Sequence, residues 1–312
     1  MINRRLIRIK VFQALFGEFG QDNSRPSSII KNILKSIHGI HNNFLGVMSF
    51  GPQLSHFIAS EHNPIEFKFK PTADDIKAFK LLTENPFLVE LEQDEEMANY
   101  LKRPILDWQQ EKETMFLIYK EFKKTDLYKI AMLKPLDDSN FLDIAKYLYK
   151  YLIFESVEFE QLIEDKNIFW YDEKIPVLKA IEKTLIAYEE NKKIALATNW
   201  ESKSEDEAMA EDLVENYFEH KSEIQSVISE YTPGWDSDRI TKIDYVLMMM
   251  ALCEFKYMPM IPVKVTLNEY IEIAKMYSTP KSSKFLNGTL DKILQEWKSQ
   301  NVIQKVGRGL IG

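Results

Sequence analysis

Arg4, Arg5 and Arg8, with Lys10 behind them, crowd the start of this chain, and no carboxylate follows until Glu18. If the stretch is helical, Arg4 and Arg8 lie one turn apart on one face. Cations at a helix N-terminus oppose the macrodipole at about 0.3 to 1 kcal/mol each, so the arrangement is unfavourable for the helix alone. An anionic partner removes that conflict; a solvated basic terminus is the alternative reading. Other reactive groupings are poor. His38 and His41 have the i, i+3 spacing of a shared metal, but no cysteine or carboxylate cluster completes a ligand set, and surface or half-buried histidines are the favoured reading. Cys253, the single cysteine, sits in an apolar run, where a packed thiol is expected and not a nucleophile. Ser278 and Lys281 match a Ser-x-x-Lys pattern without its companion motifs and read better as a helix start. No phosphate-binding glycine loop, zinc-protease helix motif or nucleophile elbow occurs, and glycine is scarce at 10 residues. The chemistry on offer is recognition: no enzyme activity, no cofactor and no metal are expected.

The elements that carry these residues read as helices throughout. Ile2, Leu6, Ile9, Phe12, Phe16 and Phe19 share one face of a helix over 3–19, with Ile7, Val11 and Ala14 as a second apolar strip, so this helix needs burial on two sides. A loop over 20–28 leads into a second helix beginning near Ile29, with a break expected near Gly51 and Pro52 and an end near Ala59. Residues 61–72 alternate between prolines as an extended connector. Thr72 caps the next helix, and helices follow over 73–83, 90–102, 106–123, 126–133 and 140–164. The Glu-rich patches at 90–96 and 201–215 read as solvated helix faces. With 45% apolar and 28% charged residues in 312, the chain has core material for one large or two medium domains. The longest apolar run, Val246 to Cys253, is too short for a bilayer, no signal peptide is evident, and a cytoplasmic location is expected. A net charge of −8 opposes indiscriminate nucleic-acid binding but not a local basic patch.

The stretch 235–291 is the most informative. Ile243, Val246, Leu247, Met250 and Ala251 mark a helix buried on most of its circumference. After Pro259 and Pro262, Thr266 and Glu269 have the spacing of a capping box. Thr279 before Pro280 reads as the N-cap of a further helix carrying Phe285, Leu290, Ile293 and Leu294. The run Pro262-Val-Lys-Val-Thr-Leu-Asn268-Glu269, continuing through Ile271, Glu272, Ile273, Ala274 and Lys275 to Lys284-Phe-Leu-Asn287-Gly288-Thr-Leu-Asp291, closely resembles the C-terminal half of the NusB transcription antitermination family. Arg4, Arg5 and Arg8 ahead of Gln13-Ala-Leu-Phe16 resemble that family's arginine-rich first helix. A departure stands at Met248-Met249, where such chains usually carry Leu-Arg.

The resemblance implies an all-α, NusB-like helical bundle that binds the boxA element of ribosomal RNA leader transcripts. It acts together with the ribosomal protein that doubles as NusE and reaches the transcribing RNA polymerase complex indirectly; a homodimer is a further assembly it allows. The expected RNA side is Arg4, Arg5, Arg8, Lys10, Lys281 and Lys284, with Lys292 as an addition, cations that neutralise phosphates, and Phe16 to stack on a base. Asn287 and Gly288 come with the motif, although a helix glycine also suits close approach of a neighbouring helix. Asp244 matches an acidic position facing the NusE-type partner. The N-terminus of the first helix is expected near Lys281 and Lys284. A runner-up, an RNA methyltransferase with a NusB-like domain, lacks the sequence for a cofactor-binding domain; a helical interaction scaffold without RNA binding is the competing class.

Between the two matching ends lies an echo that needs no family knowledge. Trp170 and Trp235 are 65 residues apart (235 − 170), and at that offset Ala145 meets Ala210, Leu148 meets Leu213, Ile163 meets Ile228, Lys174 meets Arg239 and Ile181 meets Val246. The expected organisation is a first helix in 1–22 that packs with a NusB-like domain over 200–312, and a helical extension over 23–199 that carries a partial internal repeat.

Overall fold

The computed structural model describes residues 3–21, 25–198, 203–232 and 241–310, and every regular element in them is helical. In chain order these are α1 (Arg4–Gly17), α2 (Pro26–Met48), α3 (Phe50–Glu61), α4 (Pro64–Phe67), α5 (Ala73–Thr83) and α6 (Pro86–Gln93). Next come α7 (Glu95–Leu101), α8 (Lys112–Phe122), α9 (Asp126–Leu133), α10 (Asp138–Phe154), α11 (Val157–Lys166) and α12 (Trp170–Asn191). The last are α13 (Lys203–Glu219), α14 (Lys221–Tyr231), α15 (Lys242–Tyr257), α16 (Val263–Tyr277) and α17 (Pro280–Ser299), followed by a 3-10 turn at Gly307–Leu310. Two compact units result: His38–Glu201, and Ile2–Ile37 combined with Ser202–Gly312. The boundary falls inside α2.

In the second unit α15 is the axis. Every residue from Val246 to Phe255 is buried, which requires neighbours on all sides; these are α1, α13, α14, α16 and α17. α1 packs on α13, α15 and α16, burying Leu6, Ile7, Ile9, Val11, Phe12 and Leu15. The Cys253 thiol is buried in this axis, and burial pushes its pKa up to about 12.

The unit His38–Glu201 is built on α10, which packs against α3, α5, α6, α8, α9, α11 and α12. A run of rings fills it: Phe50 edge-on to Trp108 at 4.7 Å, Trp108 stacked on Phe159 at 6.1 Å, and Phe159 edge-on to Trp170 at 5.6 Å. Two buried polar tips find backbone partners, Trp108 Nε1 donating to the Gly46 carbonyl at 3.0 Å and Tyr149 Oη to that of Met48 at 2.7 Å. Gly51 is needed where it stands, since a Cβ there would lie 2.5 Å from Tyr149 Oη and 2.6 Å from Leu88 Cδ2.

Several local expectations are corrected. The break after α2 falls at Ser49, and Pro52 sits in the first turn of α3, where its missing N–H costs no hydrogen bond. The segment 90–102 divides at Asp94, whose carboxylate caps α7, and 140–164 divides at Glu155 and Ser156. Thr266 does not cap a helix: α16 starts earlier, at Val263, and the Thr266 hydroxyl faces Glu254 instead. Thr72 and Thr279 cap α5 and α17 through side-chain acceptance from Asp75 N and Ser282 N. Trp235 and Arg239 of the internal echo lie outside the described residues. Elsewhere the offset recurs in a helix end: α13 ends 65 residues after α10 (219 − 154). Ala145 and Ala210, Leu148 and Leu213, Ile163 and Ile228, and Ile181 and Val246 are each buried.

Candidate nucleic-acid interface

Of the three arginines of α1, one turns inward. Arg8 is 1% exposed and meets the equally buried Glu254 of α15 through two charge-assisted hydrogen bonds, Nε at 2.8 Å and Nη2 at 2.6 Å. Glu254 also accepts from Thr266 Oγ1 at 2.6 Å and Tyr270 Oη at 3.2 Å, both from α16. Burial alone would pull the Arg8 pKa down, but the charge and hydrogen bonds of Glu254 outweigh it and hold the guanidinium protonated. Burial, reinforced by Glu254, drives the Tyr270 phenol up. Lys305 completes the surroundings, its ammonium donating to the Glu254 and Met258 carbonyls at 3.0 and 2.9 Å. One carboxylate thus joins α1, α15 and α16.

This geometry corrects three expectations. Arg8 is unavailable to phosphate because its charge is spent on Glu254. Lys10 is 3% exposed and equally withdrawn from the surface. Asp244 is 3% exposed at the third position of α15, its backbone N–H bound by the Thr241 cap, so its carboxylate does not present itself to a partner. Arg5 is half-buried and forks onto Glu269 at 2.7 and 3.0 Å, which raises its pKa. Arg4 makes only a 3.3 Å surface contact with Glu205. Met249 is fully buried, so that position offers no external contact.

The register of α1 against α16 corrects a fourth. Arg5 meets Glu269 and Gln13 Nε2 meets Tyr277 Oη at 3.0 Å, and both pairs are 264 residues apart. A constant offset means the two helices run parallel. The N-terminal arginines therefore lie by the middle of α16, near Glu269, whereas the other end of α1 lies where α16 ends and α17 begins. There Phe12 packs 5.2 Å from Tyr277, and the 39% exposed Phe16 lies 5.9 Å from Phe12. It is Phe16, and not Arg4, that shares an end with the start of α17.

On α17 the expected residues face outward. Lys281, Lys284 and Asn287 are exposed, and no carboxylate occurs from Pro280 to Leu290. The helix start adds its own positive potential, and the Thr279 cap fixes the first turn. Further along, the Lys292 ammonium sits 5.4 Å over the Tyr231 ring. Gly288, carried with the motif, is also exposed; a Cβ there would meet nothing within 4 Å, so the alternative reading, close approach of a neighbouring helix, finds no support among the described residues. Glycine at mid-helix costs about 1 kcal/mol relative to alanine.

Among the described residues no cluster of three or more His, Cys, Asp or Glu is placed to hold a metal, and His41 pairs with Glu96 at 2.6 Å. None of the described helices is long and apolar enough to cross a membrane.

The NusB family model matches residues 174–295, from within α12 to within α17. The chain is 46% identical over 88 residues to the transcription antitermination protein NusB of Listeria monocytogenes, covering 28% of this chain and 69% of that protein. The chain belongs to the NusB family. It is also 42% identical over 99 residues to the NusB of Chloroherpeton thalassium, which covers 32% of this chain and 47% of that relative. For the NusB of Salinibacter ruber the figures are 41% over 103 residues, 33% and 64%. The match thus spans about half to two thirds of these NusB proteins. No solved structure matches the chain. The matched span contains Glu254, Lys281, Lys284, Asn287 and Gly288, while α1 and its arginines lie outside it.

Proposed function

We propose that this chain is a non-catalytic transcription antitermination factor of the cytoplasm that binds boxA RNA of ribosomal RNA leader transcripts together with a NusE-type ribosomal protein. The observation that carries this reading is the exposed start of α17, free of carboxylates from Pro280 to Leu290, with Lys281, Lys284 and Asn287 inside the span matched by the family model. Lysines there neutralise phosphates, Asn287 offers a donor and an acceptor to base edges, and Phe16 supplies a ring at the same end of α1. Arg4 and Arg5 serve as peripheral cations, since each already has a carboxylate partner. The binding functions are assigned to the unit of α1 and α13 to α17, and His38–Glu201 is an extension.

Changing Lys281 and Lys284 together to Glu should weaken binding of a boxA RNA at least about tenfold, or about 1.4 kcal/mol. Each lost phosphate contact should also flatten the salt dependence by about 0.7 in log–log slope. Unchanged affinity in the folded double variant sinks the assignment of α17. A scaffold without RNA binding is the second reading, favoured by the commitment of Arg5 and Arg8 to Glu269 and Glu254. Affinity purification from a lysate separates the two: leader RNA and the NusE-type protein recovered together support the first, and other proteins without RNA support the second.

A further inference from the structure

One face of α12 stays open along the whole helix. Tyr171, Ile175 and Ile186, each about half exposed or more, share that face with the half-buried Leu178, and Ile168 extends it ahead of the first turn. No other described helix carries more than two exposed large apolar side chains. At an offset of 65 residues (247 − 182), α12 and α15 agree in burial on one side and differ on the other. Ile181, Thr184, Leu185 and Tyr188 are buried, as are Val246, Met249, Met250 and Cys253. Glu182, Ile186 and Glu189 are exposed, whereas Leu247, Ala251 and Glu254 are buried, Glu254 beneath Arg8 of α1 and Thr266 and Tyr270 of α16. Positions i, i+4 and i+7 form one face, so α12 lacks the cover that α15 has there.

The charges along the open face fit a copy of the same helix. Lys174 and Lys179 flank its N-terminal half, and Glu182 and Glu189 stand on its C-terminal half. Two copies laid antiparallel with Leu178 on the two-fold axis set Lys174 opposite Glu182 (178 − 174 and 182 − 178) and Tyr171 against Ile186. A parallel pair would set Glu182 on Glu182 and Lys179 on Lys179, which is repulsive, and acids on an apolar stripe repel a polyanion.

We propose that the open face of α12 is a homodimer interface, against which α12 of a second copy packs antiparallel across a two-fold axis at Leu178. Phe154, whose ring lies 5.8 Å from the Lys174 ammonium, adds apolar surface at each end. The contact is about 33 Å long at 1.5 Å per residue but one helix wide, below the roughly 800 Å² per partner of a standard interface. A dimer held in the micromolar range follows.

Sedimentation of the full chain tests this. The parent should be dimeric at about 100 μM and dissociate on dilution through the micromolar range. Ile186→Glu and Glu182→Lys should each weaken dimerisation at least about tenfold, because each change acts twice across the two-fold axis. Both positions are exposed, so both variants should keep the circular dichroism and melting temperature of the diluted parent. The double variant Lys174→Glu/Glu182→Lys restores opposite charges across the axis and should return to within about threefold of the parent. A parent dimer unaffected by either single change overturns the proposal and places the contact elsewhere. Single variants that weaken without recovery in the double variant overturn the antiparallel arrangement. A parent that stays monomeric at about 100 μM overturns the proposal outright and leaves the face to a helix of another protein. None of these variants touches α17, so RNA binding is judged separately.

Discussion

Arg8 and Glu254 form a fully buried ion pair whose second carboxylate contacts come from Thr266 and Tyr270. Removing one partner leaves the other charge buried with partial compensation, so Arg8→Ala should destabilise the protein by about 3 to 5 kcal/mol in denaturant titration. A loss under about 1 kcal/mol would mean that water or another cation replaces the guanidinium. Lys305 offers a test of sign. Burial lowers its pKa from 10.5 to about 8, against the opposing charge of Glu254. Between those values the unfolded chain holds a proton that the folded chain has released, so this group adds stability as pH rises through the window and withdraws it as pH falls through about 8. The parent should therefore gain stability relative to Lys305→Met from pH 8 to about 10, and parallel pH profiles would refute the shift.

At the scale of elements, α17 depends on its cap. Thr279 Oγ1 accepts from Ser282 N at 3.2 Å, and Thr279→Ala should cost about 1 kcal/mol and fray the turn that carries Lys281. Urea unfolding of the variant checks the first part, and RNA affinity the second. This cap was legible in the sequence because Thr-Pro is a local signal, as were α1, the buried axis α15 and the outward lysines of α17. What could not be read was direction. Arg4, Arg5 and Arg8 look alike in a sequence, and only the tertiary neighbours Glu205, Glu269 and Glu254 separate the surface cation from the core one. Thr266 with Glu269 satisfied a local pattern, but tertiary partners took both side chains. The 65-residue offset between the ends of α10 and α13 (219 − 154) is the one expected of duplicated central helices, and a superposition of 144–189 on 209–254 that paired buried with exposed positions would count against duplication.

For the molecule as a whole, the unit that carries the candidate interface is discontinuous in sequence: α1 is contributed by the start of the chain and its neighbours α13, α15 and α16 by the end. If α1 belongs to that cooperative unit, its amides should reach the same hydrogen-exchange protection as those of α15 and α16. Exchange of α1 at far lower protection, with α15 unaffected, would assign it to a separate and weaker unit.

The 246-residue separation of Arg8 from Glu254 also sets a schedule for biosynthesis. Translation at about 5 to 20 residues per second leaves the first helix waiting about 10 to 50 s for its counter-ion. Throughout that interval two apolar strips and a guanidinium destined for the core are exposed on the nascent chain beside the ribosome. A segment made 246 residues before its partner needs shelter in between, so synthesis of this protein should draw on holding chaperones more heavily than synthesis of a chain whose helices dock on their immediate neighbours.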